Sequence, residues 1–169
     1  MPEQVIKYLI SGPWEKVEAW CEVATPSINE LLSKLSPQHR VLSKYQIEQT
    51  IGDGALICLA LETGDDDQEP DVAFYGKDPN IVGMATLSPY VKLGARIGVI
   101  EDVIVHPDHQ GKGVGKGLMN TLLMIARMIH VDRLQLTSRD GRVAAHGLYL
   151  SLGFKRIETN VFRLDLKKV

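Results

Sequence analysis

The sequence predicts an α/β (α+β) fold in a single domain, and three observations carry that reading. Apolar runs of strand length, rich in β-branched residues, alternate with amphipathic runs of helical period. One such junction, from residues 98–105 into residues 116–129, passes through the glycine turn Gln110-Gly111-Lys112-Gly113-Val114-Gly115. The composition is that of an ordinary globular chain: 169 residues, 44% apolar and 24% charged, suit one good core.

Taken in order, residues 5–10 are an extra strand or a docking arm, within an N-terminal extension over 1–15 that precedes one domain over 16–169. Residues 16–23 read as a first strand. Thr25-Pro26-Ser27 then reads as a helix start and residues 28–35 as the helix. A second helix is expected over 43–51, stopped by Gly52-Asp53-Gly54. Residues 55–61 and 81–87 read as apolar strands. Between them, residues 63–80 are polar, with Asp65, Asp66 and Asp67 in a row; a solvated hairpin loop is the favoured reading over an attractor for a cationic substrate.

Residues 99–105 form a buried strand interrupted by Glu101 and Asp102. Neighbours on a regular strand face opposite sides, so only one of these carboxylates can point to a given face. Leu118, Leu122, Ile125 and Ile129 make the buried stripe of the helix after the glycine turn. Residues 133–137 alternate like another strand. Residues 142–154 hold a short helix closed by Gly153, which suits a left-handed C-terminal position, and a last strand is expected near 161–166.

Charge and cysteine usage narrow the function classes. A net charge of −2 and a pI near 6.2 argue against general nucleic-acid binding. No run approaches the roughly 18 apolar residues of a membrane span, and residues 5–10 are too short for a signal core and contain Lys7. A cytoplasmic protein with no membrane partner is expected. Cys21 and Cys58 are not spaced as a metal cluster, and His106 and His109 lack partners at a metal spacing, so free buried thiols and no metal are expected.

The glycine turn carries the chemistry. A strand that runs through glycines into a helix leaves backbone amides unpaired where the helix dipole favours negative charge, and so suits a phosphate group. Two familiar loops fail here. A Walker loop aligned on Gly115-Lys116 has Gln110 at its first glycine and Gly117 where the metal-binding hydroxyl belongs. A Gly-x-Gly-x-x-Gly fingerprint runs from Gly111 and Gly113 to Lys116, or from Gly113 and Gly115 to Leu118. What fits is Gln/Arg-x-x-Gly-x-Gly, on Gln110, Gly113 and Gly115.

With that motif, and with the later block Arg142-Val143-Ala144-Ala145-His146-Gly147-Leu148-Tyr149-Leu150-Ser151-Leu152-Gly153-Phe154, the chain resembles the GNAT family of acetyl-CoA-dependent N-acetyltransferases. The likeness covers nearly all of the chain after Lys16. It implies a central mixed, mostly antiparallel sheet with splayed central strands, flanked by helices. It implies acetyl-CoA as co-substrate, a primary amine of a small molecule or peptide as acceptor, and direct attack; dimers are frequent in the family, so a homodimer is compatible with it. By the same resemblance, Gln110, Gly111, Lys112, Gly113, Val114, Gly115 and Lys116 cradle the CoA pyrophosphate. The main chain of Val103, Ile104 and Val105 meets the pantetheine arm as an added strand would. Arg142 reaches cofactor phosphate, and His146 stands where many members carry an asparagine.

Acyl transfer to an amine needs a base. A lysine-like amine with a pKa near 10.4 is neutral in about one molecule per thousand at pH 7, a penalty of roughly 4 kcal/mol. By the same resemblance, in which an acidic residue at this strand position often acts through a water, Glu101 is the first candidate and Asp102 the second. Tyr149 stands where the family places the acid that protonates the departing thiolate; Ala145, Leu148, Tyr149 and Leu152 also fall on one helical stripe, so core packing is its competing role. A binding module that holds acyl-CoA without turnover is the rival function class, and retention of both Glu101 and Tyr149 favours the enzyme. The acceptor stays open: small amines, amino acids, aminosugars and protein N-termini all fit, with the pocket expected from the early helices and residues 88–96.

Overall fold

The first departure from those expectations is at the N-terminal helix. The computed structural model describes residues 5–11, 17–36, 38–63 and 79–166, so the acidic run at Asp65 lies outside the described residues. Helix α1 spans Val17–Leu35 without a break, where a strand over 16–23 and a helix start at Pro26 were expected. The physical reason is the stripe Val17, Trp20, Cys21, Ala24, Ile28, Leu31 and Leu32, which keeps helical period straight through Pro26 and is buried along its length. An interior proline costs about 3 kcal/mol. Burying each large apolar side chain returns about 1.5–3 kcal/mol, and the stripe has several. Thr25, next to the proline, turns its hydroxyl back to the Cys21 carbonyl at 2.6 Å.

Helix α2, Lys44–Gly52, starts where expected because Ser43 and Gln46 form a reciprocal capping box: the Gln46 amide donates to Ser43 Oγ (3.3 Å) and the Ser43 amide to Gln46 Oε1 (2.9 Å).

Five strands make one sheet in the order β1-β2-β3-β4-β5: Val5–Ile10, Leu56–Thr63, Asn80–Lys92, Ala95–Val105 and Arg133–Gln135. The first four pair antiparallel and β4 with β5 parallel, so the sheet is mixed and mostly antiparallel. Residues 88–96 form the tip of a hairpin: β3 and β4 continue through them to a two-residue turn at Leu93 and Gly94.

Helices cover both faces. Ile57, Leu59, Leu61, Ile81, Met84 and Ile104 pack with α1 and α2 in one core. Gly83, neighbour of Met84, faces the other way, where a Cβ would touch Val114 and Leu118 of helix α3, Val114–Met128. Val114, Leu118, Met119, Leu122 and Ala126 form the buried side of α3, while Ile125 and Ile129 are only half-buried, since the stripe leans one residue away from the expected one.

These elements belong to one compact unit, Met1–Thr137; a second, Ser138–Val169, holds helix α4, Val143–Ser151. Gly153 follows α4 at φ 89°, the left-handed residue expected there. The strand expected near 161–166 does not form. Residues 161–166 carry no strand among the described residues, and Val161, Phe162, Leu164 and Leu166 are 74–92% exposed.

Candidate active site

Strand β4 carries an irregularity at the two carboxylates. Thr86 of β3 pairs with Glu101 and Met84 with Ile104, so Ala85 alone spans both Asp102 and Val103. This is a β-bulge, and Asp102 takes it with φ 51°, a left-handed conformation that aspartate tolerates better than most residues. The extra residue inverts the alternation. Ile100 pairs with Leu87 and Ile104 with Met84, residues three apart and on opposite faces of β3, so the rule that neighbouring residues on a strand face opposite sides breaks between Asp102 and Val103, the two residues opposite Ala85.

The second irregularity is an opening. Strand β5 pairs only with Ile97, Gly98 and Val99, and beyond that point β4 runs to Val105 with no partner strand on that side among the described residues. These are the splayed central strands, and along Val103–Val105 the main-chain groups that alternate away from β3 lie on an open edge.

The glycine turn closes this end. A short 3-10 turn over Pro107–His109 leads to Gln110, whose side-chain amide donates back to the Val105 carbonyl at 3.1 Å, so this side chain shapes the loop. Gly111 and Gly113 have φ 75° and 84°, and nothing lies within 4 Å of where a Cβ would stand on either. Gly113 is the N-cap of α3 and has no side chain to bond the first amides of the helix, those of Val114, Gly115 and Lys116. Donors without a capping side chain, a dipole end and open space are what an anion needs. Lys112 and Lys116 are exposed beside them.

Helix α3 is positioned by a contact that sequence reasoning missed. A Cβ on Gly117 would overlap the Tyr8 ring, and the Tyr8 hydroxyl reaches the Val114 carbonyl at 3.4 Å, so a glycine in the first turn lets β1 approach the start of α3. An apparently dispensable glycine four residues into a helix was the available signal. Gly117→Ala is expected to destabilise the protein by about 1–3 kcal/mol through overpacking, yet to stabilise a Tyr8→Ala background by up to about 1 kcal/mol through helix propensity. Chemical denaturation of the four proteins of that cycle checks the change of sign.

Asp102 is exposed on one flank, yet the protein around it removes enough water that burial pushes its carboxyl above the ordinary carboxylate range, while the His39 imidazole pulls it down. His39 is a second residue the sequence did not mark. It is fixed by Asn29, whose Oδ1 accepts from His39 Nε2 (3.2 Å) and the Leu42 amide (2.7 Å), and whose Nδ2 donates to the carbonyls of Thr25 (3.1 Å) and Leu42 (2.9 Å). The connection between α1 and α2 thus supplies charge toward Asp102. Glu101 is exposed on the neighbouring rung. An apolar hollow lined by Leu56, Tyr90, Val91 and Ile129 lies at the hairpin end of the sheet, away from these carboxylates, and the Arg96 guanidinium at its rim is already bonded to the Ile129 carbonyl at 2.6 Å.

Arg142, His146 and Tyr149 belong to the second unit. Arg142 is the N-cap of α4. Arg156 Nη2 donates to His146 Nδ1 at 3.0 Å, which leaves the other ring nitrogen, Nε2, carrying the proton of a neutral imidazole and able to donate. Tyr149 is half-buried beside Phe154, ring centroids 6.1 Å apart. Burial pushes its phenol up and Arg142 draws it down by less, so the hydroxyl keeps its proton at neutral pH.

A family model for the acetyltransferase (GNAT) family matches residues 30–154. The chain belongs to that family. It is an N-acetyltransferase, similar over 80 residues, at 35% identity, to a glucosamine 6-phosphate N-acetyltransferase of Schizosaccharomyces pombe, a match covering 46% of this chain and 69% of that protein. An acetyltransferase structure from Trypanosoma brucei matches at 25% identity over 96% of this chain and all of that one, with a TM-score of 0.67. An aminoglycoside N-acetyltransferase solved in complex with CoA matches in fold, with a TM-score of 0.66 at 15% identity over 98% and 97% of the two chains. This GNAT acetyltransferase has no helix among the described residues that is long and apolar enough to cross a membrane.

Proposed function

We propose that the protein transfers the acetyl group of acetyl-CoA to the primary amine of a small molecule, with an amino sugar phosphate as the first acceptor to test. The observation that carries this reading is the conjunction on β4: a strand edge left bare beyond Val99 runs into a glycine-capped helix start. The edge suits the amides of pantetheine, and the helix start suits the pyrophosphate. The curated relative acts on glucosamine 6-phosphate by name, which is why that amine heads the panel.

The amine attacks the thioester carbonyl, the C–N bond forms, and the C–S bond breaks as the tetrahedral intermediate collapses. Direct attack is favoured over an acetyl-cysteine relay. Both cysteines are buried, and burial pushes their thiols up to about 11 for Cys21 and about 12 for Cys58, which removes the thiolate a relay requires. Asp102 takes the proton of the amine, since a carboxylate with a raised pKa is the better base; Glu101 assists from the adjacent rung. The main chain of Gly111 to Lys116 holds the pyrophosphate, and Lys112, Lys116 and Arg142 add positive charge. His146 donates through Nε2 where an asparagine amide would. Tyr149 gives its proton to the departing sulphur. A free phenol near 10 and a free thiol near 8.5 differ by roughly 2 kcal/mol in water; burial lifts the Tyr149 phenol, and burial of the nascent thiolate lifts the thiol in the same direction and so offsets it. A cytoplasmic location fits two free, buried thiols.

Thiol release from acetyl-CoA, measured across a panel of glucosamine 6-phosphate, aminoglycosides, amino acids and peptide N-termini, tests the reading. Acetyl-CoA turnover with the sugar phosphate is expected, and turnover only with peptides would overturn the acceptor class. Tyr149→Phe is expected to lower kcat about tenfold or more with little change in CoA affinity. An unchanged kcat would return Tyr149 to a packing role.

A further inference from the structure

Residues Gln110 to Gly113 are exposed and make no packing contacts at their glycines, so beyond the Gln110 bond to the Val105 carbonyl what fixes them lies at their two ends. One end is Val114, buried to 2% against the sheet. At the other end stands His109. Its Nε2 lies 3.1 Å from Glu62 Oε1, at the end of β2, and because a carboxylate only accepts, this nitrogen donates. Glu62 Oε2 accepts from Asn80 Nδ2 at 2.6 Å, across the last β2–β3 rung, where the two residues pair in register. The His109 and Glu62 side chains are only 14% and 15% exposed. A carboxylate so far from water is costly unless both oxygens are bonded, and here each has its own donor. The His109 backbone is held as well: its amide donates to the His106 carbonyl at 2.9 Å, and the His106 amide to the Val82 carbonyl at 2.8 Å.

We propose that the His109–Glu62–Asn80 chain is a positioning device that sets the affinity for acetyl-CoA by fixing the upstream end of the glycine loop. This rests on the reading of that loop as the pyrophosphate site. None of the three touches the reacting atoms. The sheet ends on one side of the loop and α3 begins on the other, so two rigid elements hold a short, glycine-rich span between them. Removing the histidine clamp frees one end, and the amides then pay an ordering cost each time they gather around the anion.

The test is a KM-against-kcat split in the full-length protein. His109→Ala and Glu62→Ala are each expected to raise the acetyl-CoA KM, and the Kd for CoA by calorimetry, about tenfold, the scale of one lost charge-assisted hydrogen bond. Acceptor KM and kcat should stay within about twofold. The double variant should be no worse than either single one, because both remove the same bond. His109→Gln and Glu62→Gln keep a donor and an acceptor in place and should restore most of the affinity, which separates positioning from general loss of fold. Unchanged acetyl-CoA KM in both alanine variants, additive effects, or a fall in kcat with KM intact would overturn the proposal. Gly113→Glu separates the two readings: if it abolishes CoA binding while the clamp variants bind normally, only the clamp fails, and if it binds CoA normally the loop assignment itself fails.

Discussion

Asp102→Asn should lower kcat/KM about 100-fold or more, the scale expected when a general base is removed, while Glu101→Gln should cost far less. Asparagine is the appropriate replacement because it, too, accepts the left-handed backbone at φ 51°, so the bulge survives. The pH profile adds a second reading. Burial raises the Asp102 carboxyl above its ordinary 3.8, so its ionised form appears only at higher pH, and kcat/KM should climb along an acid limb that Asp102→Asn abolishes. The same shift acts on stability with a defined sign. A carboxyl raised in the folded state contributes stability that is fully present below the ordinary value and is lost as pH rises through the folded one. The asparagine variant lacks that loss, so at neutral pH it should unfold no more readily than the parent. If instead Glu101→Gln abolishes activity and Asp102→Asn leaves it intact, the base is Glu101, the residue that its place on the strand first suggested.

Gly113→Glu should weaken CoA binding about 100-fold or more. Two costs combine. A side chain forced to φ 84° costs about 1–2 kcal/mol, and a carboxylate at the start of α3 occupies the dipole end that the pyrophosphate would use, at a typical 0.3–1 kcal/mol before direct repulsion between the anions is counted. Together these come to about 1.3–3 kcal/mol, and the repulsion between the carboxylate and the pyrophosphate carries the loss past the roughly 2.7 kcal/mol that a 100-fold change represents. Gly113→Ala isolates the backbone share, since no atom within 4 Å obstructs a methyl group there. Calorimetry with CoA reads both variants, and near-native affinity in the glutamate variant would remove the pyrophosphate from this loop.

Local chemistry explains which parts of this architecture were visible beforehand. The glycine turn into α3 was legible because positive-φ backbone at a helix start calls for glycine, and glycines leave a plain mark. The start of α2 was legible because Ser43 caps it through a short-range pattern. Helix α1 was misread because Pro26 is a strong local signal, whereas the stripe that overrides it matters only once sheet residues such as Leu59 and Met84 lie against it. The bulge at Asp102 was not legible because it leaves no trace in strand periodicity; it depends on how many residues the partner strand offers. Tyr8 and Gly117, 109 positions apart, and Glu62 with His109, 47 apart, meet only through sheet order, which no local pattern encodes.

The bulge gives β4 something like a reading frame. Upstream of Asp102, the strand's odd and even positions address the two helix layers in one phase; downstream they address them in the other, which is how Ile104 comes to sit with Met84 in the α1 and α2 core. A one-residue deletion between Glu101 and Ile104 would restore a flat ladder and turn every following side chain, and the loop that hangs from them, to the wrong layer. Insertions at the Leu93–Gly94 turn carry no such consequence. The count of residues in mid-strand therefore fixes which layer the downstream half of β4 addresses.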